Sequence, residues 1–460
     1  MNDSAQQRSQ LIRTLLQRGA MRAGELQESL GISRATLSRQ VARAGDQVQR
    51  YGAARATVYA TRRQIANASA WPLSRIGADA QVEILGSLEA IGRGQFALRP
   101  QHALPALMPA PQFAAGVFPD LPWFLDDLRP QGFLGRHFAH RLATVLNVPS
   151  DLTRWNGDHV ITALVHAGED LTGDLVLGEA SLQRALAAAD CSTGAIAPTE
   201  REQVYPSLAA AALAGEPVGS SPGGEQQKFT TILRLSHGRE SLIVKFSQAQ
   251  GNPVAERWAS LLRAEALAAR VLNEHGIAAA DNRVLETGEM IFLESPRFDR
   301  TTSLGRRGQV SLAALSSAFY GLADAPWWQL ATRLQRDGWI SAEDALTLQR
   351  VYWYGALIGN SDMHLGNAAL QLCDQRPLPL CPVYDMLPML WRPTAQGSLP
   401  ERQLIPPLPA SGQLDAWRWA ASAASEFWAR LADEVGIDDG LRLGADQAVT
   451  AVRRGLGRFG

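Results

Sequence analysis

The sequence predicts an α+β protein with two lobes, a small β-rich one and a larger helical one, behind an N-terminal winged helix-turn-helix. Three observations predict it. Residues 1–65 set out three short amphipathic helical stretches and then a hairpin pattern. From Phe229 to Glu294, short apolar strands alternate with one long helix, Ala255 to Asn273. From residue 306 onward helical periodicity dominates, and eight tryptophans, at 327, 328, 339, 353, 391, 417, 419 and 428, supply anchors for a helical core. The expected domains are 1–65, 66–200, 201–305 and 306–460.

A chain of 460 residues is too long for one core, so more than one domain is expected. The hydrophobic share of 46% and charged share of 19% fit an ordinary soluble globular protein. No apolar run approaches spanning length and the N-terminus is polar, so a cytoplasmic protein without a membrane partner is expected. Cys191, Cys373 and Cys381 lack metal-ligand spacing and read as small reduced core residues. The net charge of −1 hides an asymmetry: residues 1–65 hold 11 arginines against 4 acids, or +7, which leaves −8 for the remainder. A basic segment on an acidic body points to a polyanion as its partner.

In the basic segment, Gln10–Gln17 forms a first helix, Ala23–Leu30 a second, Gly31-Ile32 a turn, and Ser33 caps a third helix reaching Ala44. Leu26, Leu30, Ile32, Leu37 and Val41 have the spacing to pack inward. Arg34, Thr36, Arg39, Gln40 and Arg43 are then expected outward, a face suited to the DNA major groove. Val48–Tyr51 and Arg55–Tyr59 read as the wing, with Arg50 and Arg55 near phosphates. A small helical domain with a solvated basic face is the alternative. Residues 66–200 begin with a β unit, Leu73–Ile76 and Val82–Leu88. A loop with seven prolines between Pro100 and Pro130 follows. His137, His140, His159 and His166 are scattered and give no metal site.

Lysine usage is the sharpest compositional fact. Of 44 basic residues only Lys228 and Lys245 are lysine, seventeen positions apart. Arg and Lys differ most where a compact point charge must enter a phosphate site. Lys228 ends Ser220-Ser221-Pro222-Gly223-Gly224-Glu225-Gln226-Gln227-Lys228, whose small residues let backbone amides approach phosphates. An ordinary flexible loop fits the same residues. Lys245 lies inside the strand Ser241–Phe246, and a buried lysine asks for an anion. The following helix offers Glu256 and Glu265, and a strand lysine paired to a helix glutamate anchors ATP in protein kinases.

The densest chemistry lies between Leu357 and Leu390. Ser341 is expected to cap a helix ending near Ile358, with Gly359-Asn360 as its stop. Asp362-Met363-His364-Leu365-Gly366-Asn367 falls on the loop beyond. Two short strands, Ala368–Cys373 and Leu378–Val383, are expected to return Asp385 beside Asn367. One carboxylate to orient a hydroxyl, and an amide oxygen with a second carboxylate to hold Mg2+, are the polar parts of phosphoryl transfer. An Asp/Asn-rich turn between a helix and a hairpin is the plainer alternative.

In this order the motifs resemble the HipA family of serine/threonine kinase toxins of bacterial toxin–antitoxin systems, over roughly residues 70–440. Asp126–Gly132, Ser221–Lys228, Leu242–Phe246, Glu265 before Gly276-Ile277, Arg297-Phe298-Asp299-Arg300, Asp362-x-His364-x-x-Asn367 and Tyr384-Asp385 carry the resemblance. It implies a bilobal protein-kinase-like fold that uses ATP and Mg2+. Asp362 would be the catalytic base, Lys245 the phosphate-binding lysine, and Asn367 and Asp385 the metal ligands. Gly223, Gly224, Gln226, Lys228, Glu265, Glu294 and His364 would line the nucleotide site, and Ser221 would be autophosphorylated. It further implies a protein substrate, such as an aminoacyl-tRNA synthetase or another translation component, an antitoxin partner, and room for a homodimer. Two departures stand out: two extra residues, Ser295-Pro296, between Glu294 and Arg297, and a helix-turn-helix within the chain itself, as in the longer YjjJ-type members. Two other functions fit the same residues: a transcription regulator whose kinase-like part senses nucleotide, and a small-molecule kinase of the aminoglycoside or choline type.

Overall fold

The computed structural model describes residues 2–190, 194–215, 226–249 and 251–459. The chain forms two compact units, residues 1–130 with 138–191, and residues 131–137 with 192–460.

The first unit opens with α1 (Asn2–Arg18), β1 (Met21–Arg22), α2 (Ala23–Leu30) and α3 (Arg34–Ala44), followed by β2 (Gln49–Tyr51) and β3 (Val58–Ala60). Gly31, at φ +64°, ends α2 in the left-handed region, and Ser33 Oγ accepts the Thr36 N–H at 3.2 Å to start α3. Leu11, Leu15, Leu26 and Leu37 are buried among Leu30, Ile32 and Val41, as the spacing predicts. Gln40 departs from its expected outward position. It is 3% exposed, and its Nε2 donates to Gln7 Oε1 at 2.7 Å. It falls within the stripe Leu37–Gln40–Val41–Ala44, the i, i+3, i+4, i+7 face of the helix. Arg34, Arg39, Arg43, Arg50 and Arg55 are exposed, while the half-buried Thr36 hydroxyl bonds Ser33 and Arg39. The three strands pair in the order β1-β3-β2.

The unit continues with β4 (Ala70–Ile76), β5 (Val82–Ala90), β6 (Phe96–Pro100), β7 (Val117–Phe118), the part of α4 (Gly132–Leu146) from residue 138 onward, α5 (Gly157–Ala167), β8 (Leu175–Leu177) and α6 (Glu179–Asp190). Its strands form an antiparallel sheet ordered β7-β6-β5-β4-β8. The N-terminal elements are bolted to this sheet. Tyr51 and Ala60 share a core with Ile91 and Ala97. At Gly92 a Cβ would lie 2.3 Å from Leu15 O, so only glycine lets this turn approach α1 so closely. Buried Glu89 on β5 accepts from Tyr51 Oη at 2.5 Å, Arg62 Nε and Nη2 at 3.0 and 2.6 Å, and Arg99 Nε at 2.9 Å. Arg63 holds Asp158 through both terminal nitrogens, at 2.6 and 2.7 Å.

In the second unit, β9 (Ala195–Ile196), α7 (Arg201–Leu213), β10 (Lys228–Leu235), β11 (Gly238–Gln248), α8 (Pro253–Glu274), β12 (Arg283–Thr287) and β13 (Met290–Pro296) come first. The sheet order is β12-β13-β11-β10-β9, antiparallel except for β9 with β10. One face packs Phe229, Val244, Phe246 and Phe292 on Tyr205 and Ala209 of α7. The other sets Ile291 and Leu293 against Ala259, Leu262 and Ala266 of α8. Then follow β14 (Val310–Ser311), α9 (Leu312–Phe319), α10 (Trp327–Arg336), α11 (Ala342–Leu357), β15 (Ala369–Leu370), α12 (Leu414–Asp433) and α13 (Asp439–Phe459). Trp327, Trp339, Trp353, Trp391, Trp417 and Trp428 are buried as core anchors. The expected hairpin over 368–383 is shorter than its pattern: only Ala369–Leu370 forms a strand, and it pairs with β14. Pro377, Pro379 and Pro382 lack the N–H groups a longer ladder needs. Single contacts still bring the segments together, through Gln371 N to Pro379 O at 2.8 Å and Cys381 N to Ala369 O at 2.9 Å.

Burial works against the Glu89 carboxylate, but its bonds from Arg62 and Tyr51 and the charge of Arg99 outweigh burial and hold its pKa below the ordinary value. A carboxylate depressed on folding stabilises above its unfolded pKa, about 4.3, and loses that contribution as pH falls through the folded value. Glu89→Ala should therefore destabilise the first unit by about 3 kcal/mol at neutral pH. The deficit should shrink below about pH 4. Urea unfolding of wild type and variant across pH checks both.

Candidate functional site

The two lysines of the chain face each other. In the β10–β11 register Lys228 lies directly opposite Lys245, and both are buried. Like charges in that relation repel unless anions stand between them. Strand alternation sends Val244 and Phe246 toward α7 and Lys245 toward α8. There the Lys245 ammonium donates to Glu265 Oε1 and Oε2 at 2.6 and 2.8 Å, and to Asp385 Oδ1 at 2.5 Å. Burial alone would lower the Lys245 pKa, yet the Asp385 and Glu265 charges raise it above its ordinary value. Burial also opposes ionisation of Asp385, but Lys245 and then Lys228 hold its pKa below normal. For Glu265 burial prevails and the pKa is raised. Glu256, the other candidate partner, is exposed.

Polar links order the loop after α11 and join it to the Tyr384-Asp385 segment. Asn360 Oδ1 accepts the Asp362 N–H at 3.0 Å, and its Nδ2 donates to Asp385 O at 3.3 Å. Asn367 Nδ2 donates to Asp362 O at 2.8 Å. Tyr384 Oη donates to Gly366 O at 2.9 Å. Asp385 holds φ +53°, a left-handed conformation costly for a residue with a Cβ. The helix before it forms as predicted: Ser341 Oγ accepts the Asp344 N–H at 3.0 Å, and Gly359 turns at φ +72°. His364 caps the 365–367 turn, its Nδ1 accepting from Gly366 N at 3.0 Å, and is exposed. Asp362 and Asn367 are half-buried. The Arg-Phe-Asp-Arg segment braces this arrangement from below. Phe298 stacks on Tyr384 with centroids 5.7 Å apart, and Asp299 accepts from Arg297 at 3.0 and 2.9 Å and from Arg300 at 2.7 Å.

The structure thus brings Lys228, Lys245, Glu265, Asp385, Asp362 and Asn367 into one region. The Glu294 carboxylate does not join them. Glu294 pairs in register with Val244 and so faces α7, where it accepts from Tyr205 Oη at 2.7 Å and Arg201 Nη1 at 3.0 Å. The expectation that its side chain lines the nucleotide site is corrected: β alternation turns it to the far face. Ser221, Gly223 and Gly224 lie outside the described residues. Gln226 is half-buried, and its buried Nε2 has no hydrogen-bond partner among the described residues.

The residues fit a nucleotide with Mg2+. Two buried ammonium groups, and a Gln226 Nε2 with no partner among the described residues, suit phosphate oxygens. Asp385 and the Asn367 amide oxygen are the hard oxygen donors such a cation takes, with phosphates and water completing its shell. Among the described residues no group of three His, Cys, Asp or Glu side chains forms a metal cage by itself.

Sequence reasoning missed two features. Asn360 was assigned only to stopping the helix. The docking of α8 was not foreseen either. Arg257 on α8 donates to Asp438 at 2.8 and 2.7 Å and to Trp391 O at 2.9 Å, and Tyr354 Oη donates to Ala268 O at 3.2 Å. An arginine on the apolar face of a long helix was the available signal.

Two family descriptions match the chain, "YjjJ-like toxin, middle domain" over residues 67–186 and "HipA-like C-terminal domain" over residues 220–454. Toxin YjjJ of Escherichia coli (strain K12) is 37% identical over 339 residues, which are 73% of this chain and 75% of that protein. A chain of the Shewanella oneidensis MR-1 toxin–antitoxin complex of HipA, HipB and operator DNA superposes with a TM-score of 0.50. That alignment covers 85% of this chain and 96% of the other at 15% identity, a likeness of fold.

Lys245→Met should leave the buried Glu265 and the half-buried Asp385 without their shared cation, at a cost of about 3 kcal/mol at neutral pH. Both carboxylate pKa values should then lie above their unfolded values. Carboxylates raised in this way destabilise only once they ionise in the unfolded chain, so the deficit should shrink as pH falls toward about 4. Calorimetric unfolding at several pH values checks the size and the sign.

Proposed function

The chain belongs to the HipA-like family, matching its YjjJ-like toxins in the middle domain, and we propose that it is an ATP- and Mg2+-dependent protein serine/threonine kinase whose residues 1–65 bind DNA as a winged helix-turn-helix. One observation carries the kinase reading. Lys245 is clamped between Glu265 and Asp385, and Asp385 is tied through Asn360 to the loop bearing Asp362 and Asn367. In this reading residues 201–305 are the small lobe and 306–460 the large lobe.

Each side chain then has a task. Glu265 orients the Lys245 ammonium toward phosphate oxygens, and Lys228 adds a second positive charge beside it. Asp385 and Asn367 would hold Mg2+, which would neutralise phosphate charge when bound. Asp362 orients the acceptor hydroxyl and takes its proton. Gly223 and Gly224 offer backbone N–H groups, and Gln226 its unpartnered amide. Ser221, at the head of the same loop, is the autophosphorylation site, where a phosphate's charge would repel the triphosphate. With the Glu294 carboxylate engaged elsewhere, adenine would be met by main-chain groups. His364 keeps the 365–367 turn in shape.

The acceptor is a serine or threonine of a protein; family resemblance suggests a translation component such as an aminoacyl-tRNA synthetase. The DNA reading rests on the exposed guanidinium groups of Arg34, Arg39 and Arg43 on α3, with Arg50 and Arg55 on the adjoining hairpin. Gln40, bonded to Gln7, is left out. A chain with its own DNA-binding segment would restrain or autoregulate itself, in the cytoplasm, with or without a separate antitoxin. Among the described residues no helix is long and apolar enough to cross a membrane.

Asp362→Asn should lower kcat by about 10²-fold or more with ATP affinity nearly unchanged. Asp385→Asn should instead weaken Mg2+-dependent ATP binding. Phosphotransfer from labelled ATP and calorimetric titration separate the two, and near-wild-type turnover by Asp362→Asn would remove the base assignment.

Arg39→Ala or Arg43→Ala should weaken duplex DNA binding. A phosphate-contacting arginine should also reduce the salt slope by about one unit. Fluorescence anisotropy over a salt series measures it, and salt-independent binding would refute the DNA reading.

A further inference from the structure

We propose that Asn360 is a positioning residue that sets the relation between Asp362 and Asp385, an inference that rests on the kinase reading above. Its amide is the bridge between the two loops. Oδ1 accepts the Asp362 N–H at 3.0 Å, and Nδ2 donates to Asp385 O at 3.3 Å. Met386 Sδ lies 3.6 Å from the same Nδ2. The side chain is buried, so neither half of the amide exchanges freely with water.

Asn360 is itself fixed to a rigid element. Its own N–H donates to Gly355 O at 2.8 Å, in the last turns of α11, and the neighbouring Gly359 O accepts from Leu390 N at 2.9 Å. The helix end thus serves as the reference point from which both loops are measured. On one side the bond fixes the peptide that enters Asp362. On the other it fixes the carbonyl of a residue held at φ +53°, a conformation that persists only where the surroundings impose it. Holding the Asp385 carbonyl fixes the following peptide plane, and with it the direction in which the carboxylate leaves the chain.

Only asparagine meets both demands. The partners are an N–H and a C=O, so the amide must present its oxygen to one and its nitrogen to the other. Aspartate keeps an acceptor for Asp362 N–H but turns a second oxygen onto the Asp385 carbonyl. Alanine leaves both groups unbonded, and glutamine moves the amide one methylene farther from the backbone that Asn360 is fixed to. Asn360 touches neither nucleotide nor acceptor in this account. It acts through Asp362 and Asp385, and groups that orient metal-binding carboxylates characteristically change metal affinity about 10–100-fold when removed.

The test uses the full chain and reads ATP affinity with and without Mg2+, together with kcat, for wild type, Asn360→Ala, Asn360→Asp, Asp385→Asn and the double variant Asn360→Ala/Asp385→Asn. Asn360→Ala and Asn360→Asp should each reduce the gain in ATP affinity given by Mg2+ by roughly tenfold, with metal-free ATP affinity unchanged. Asn360→Ala should also lower kcat, because the Asp362 loop is released. In the Asp385→Asn background, Asn360→Ala should add no further loss of Mg2+-dependent affinity, since the group it positions has gone. Equal losses in both backgrounds would overturn the proposal, as would retention of Mg2+-dependent affinity and kcat by Asn360→Ala within twofold. If Asn360→Ala does not fold, Asn360→Asp and its double variant with Asp385→Asn give the same comparison. A wild-type chain without Mg2+-dependent ATP binding or phosphotransfer would overturn the kinase reading and this inference with it. An active wild type beside an unaffected Asn360 variant would overturn the inference alone.

Discussion

The Lys245 ammonium, held between the carboxylates of Glu265 and Asp385, is the interaction on which the second unit's arrangement depends. A buried charge is tolerated only when its partners reach it with good geometry. Here the three groups come from three places: Lys245 from the central strand β11, Glu265 from the long helix α8, and Asp385 from a loop of the helical part. None of the three can shift far without leaving a charge unpaired. Lys228 and Lys245 together balance Glu265 and Asp385, so the cluster is neutral as built. Under the proposed kinase function, entering phosphates would draw on the lysines and a cation at Asp385 would restore the balance.

Several contacts serve this constraint without taking part in it. The Arg257–Asp438 pair and the bond from Arg257 to Trp391 O dock α8 on the helical part, which keeps Glu265 facing Lys245. The Tyr384–Gly366 bond and the Phe298–Tyr384 stack hold the backbone that leads into Asp385. The opposite face of the same sheet has a charge cluster of its own, where Glu294 meets Arg201, Tyr205 and Arg283. That second cluster fastens α7 to the sheet and leaves the lysine face clear for a ligand.

The first unit solves a different problem by similar means. A short hairpin and three helices hold little apolar surface by themselves, and small cores are marginal. Here the hairpin shares its core with the neighbouring sheet through Tyr51, Ala60, Ile91 and Ala97, and Glu89 gathers Tyr51, Arg62 and Arg99 above it. The basic surface of α3, mounted in this way, is held to the sheet beneath it.

The sequence by itself determined several local elements and marked the candidate polar groups. Apolar period and capping residues placed α2, α3 and α11 closely, because Ser33, Ser341, Gly31 and Gly359 act on their own neighbours. The scarcity of lysine marked Lys228 and Lys245 before any fold was known. Resemblance then selected Glu265 over Glu256, two residues nine apart on one helix and hence on opposite faces. Tertiary structure alone decided what those groups meet. Glu294 was placed on the face opposite Lys245 by one step of strand alternation, and Glu89 was buried beneath a hairpin from elsewhere in the chain. The stripe through Leu37 and Val41 already contained Gln40, although the buried partner that satisfies it, Gln7, lies 33 residues away. Asn360 read as a helix stop because its two partners, 2 and 25 residues distant, come together only when both loops close over α11. Periodicity reports burial one element at a time; the closure of buried charges and hydrogen bonds joins segments as far as 181 residues apart, and only the folded chain specifies that.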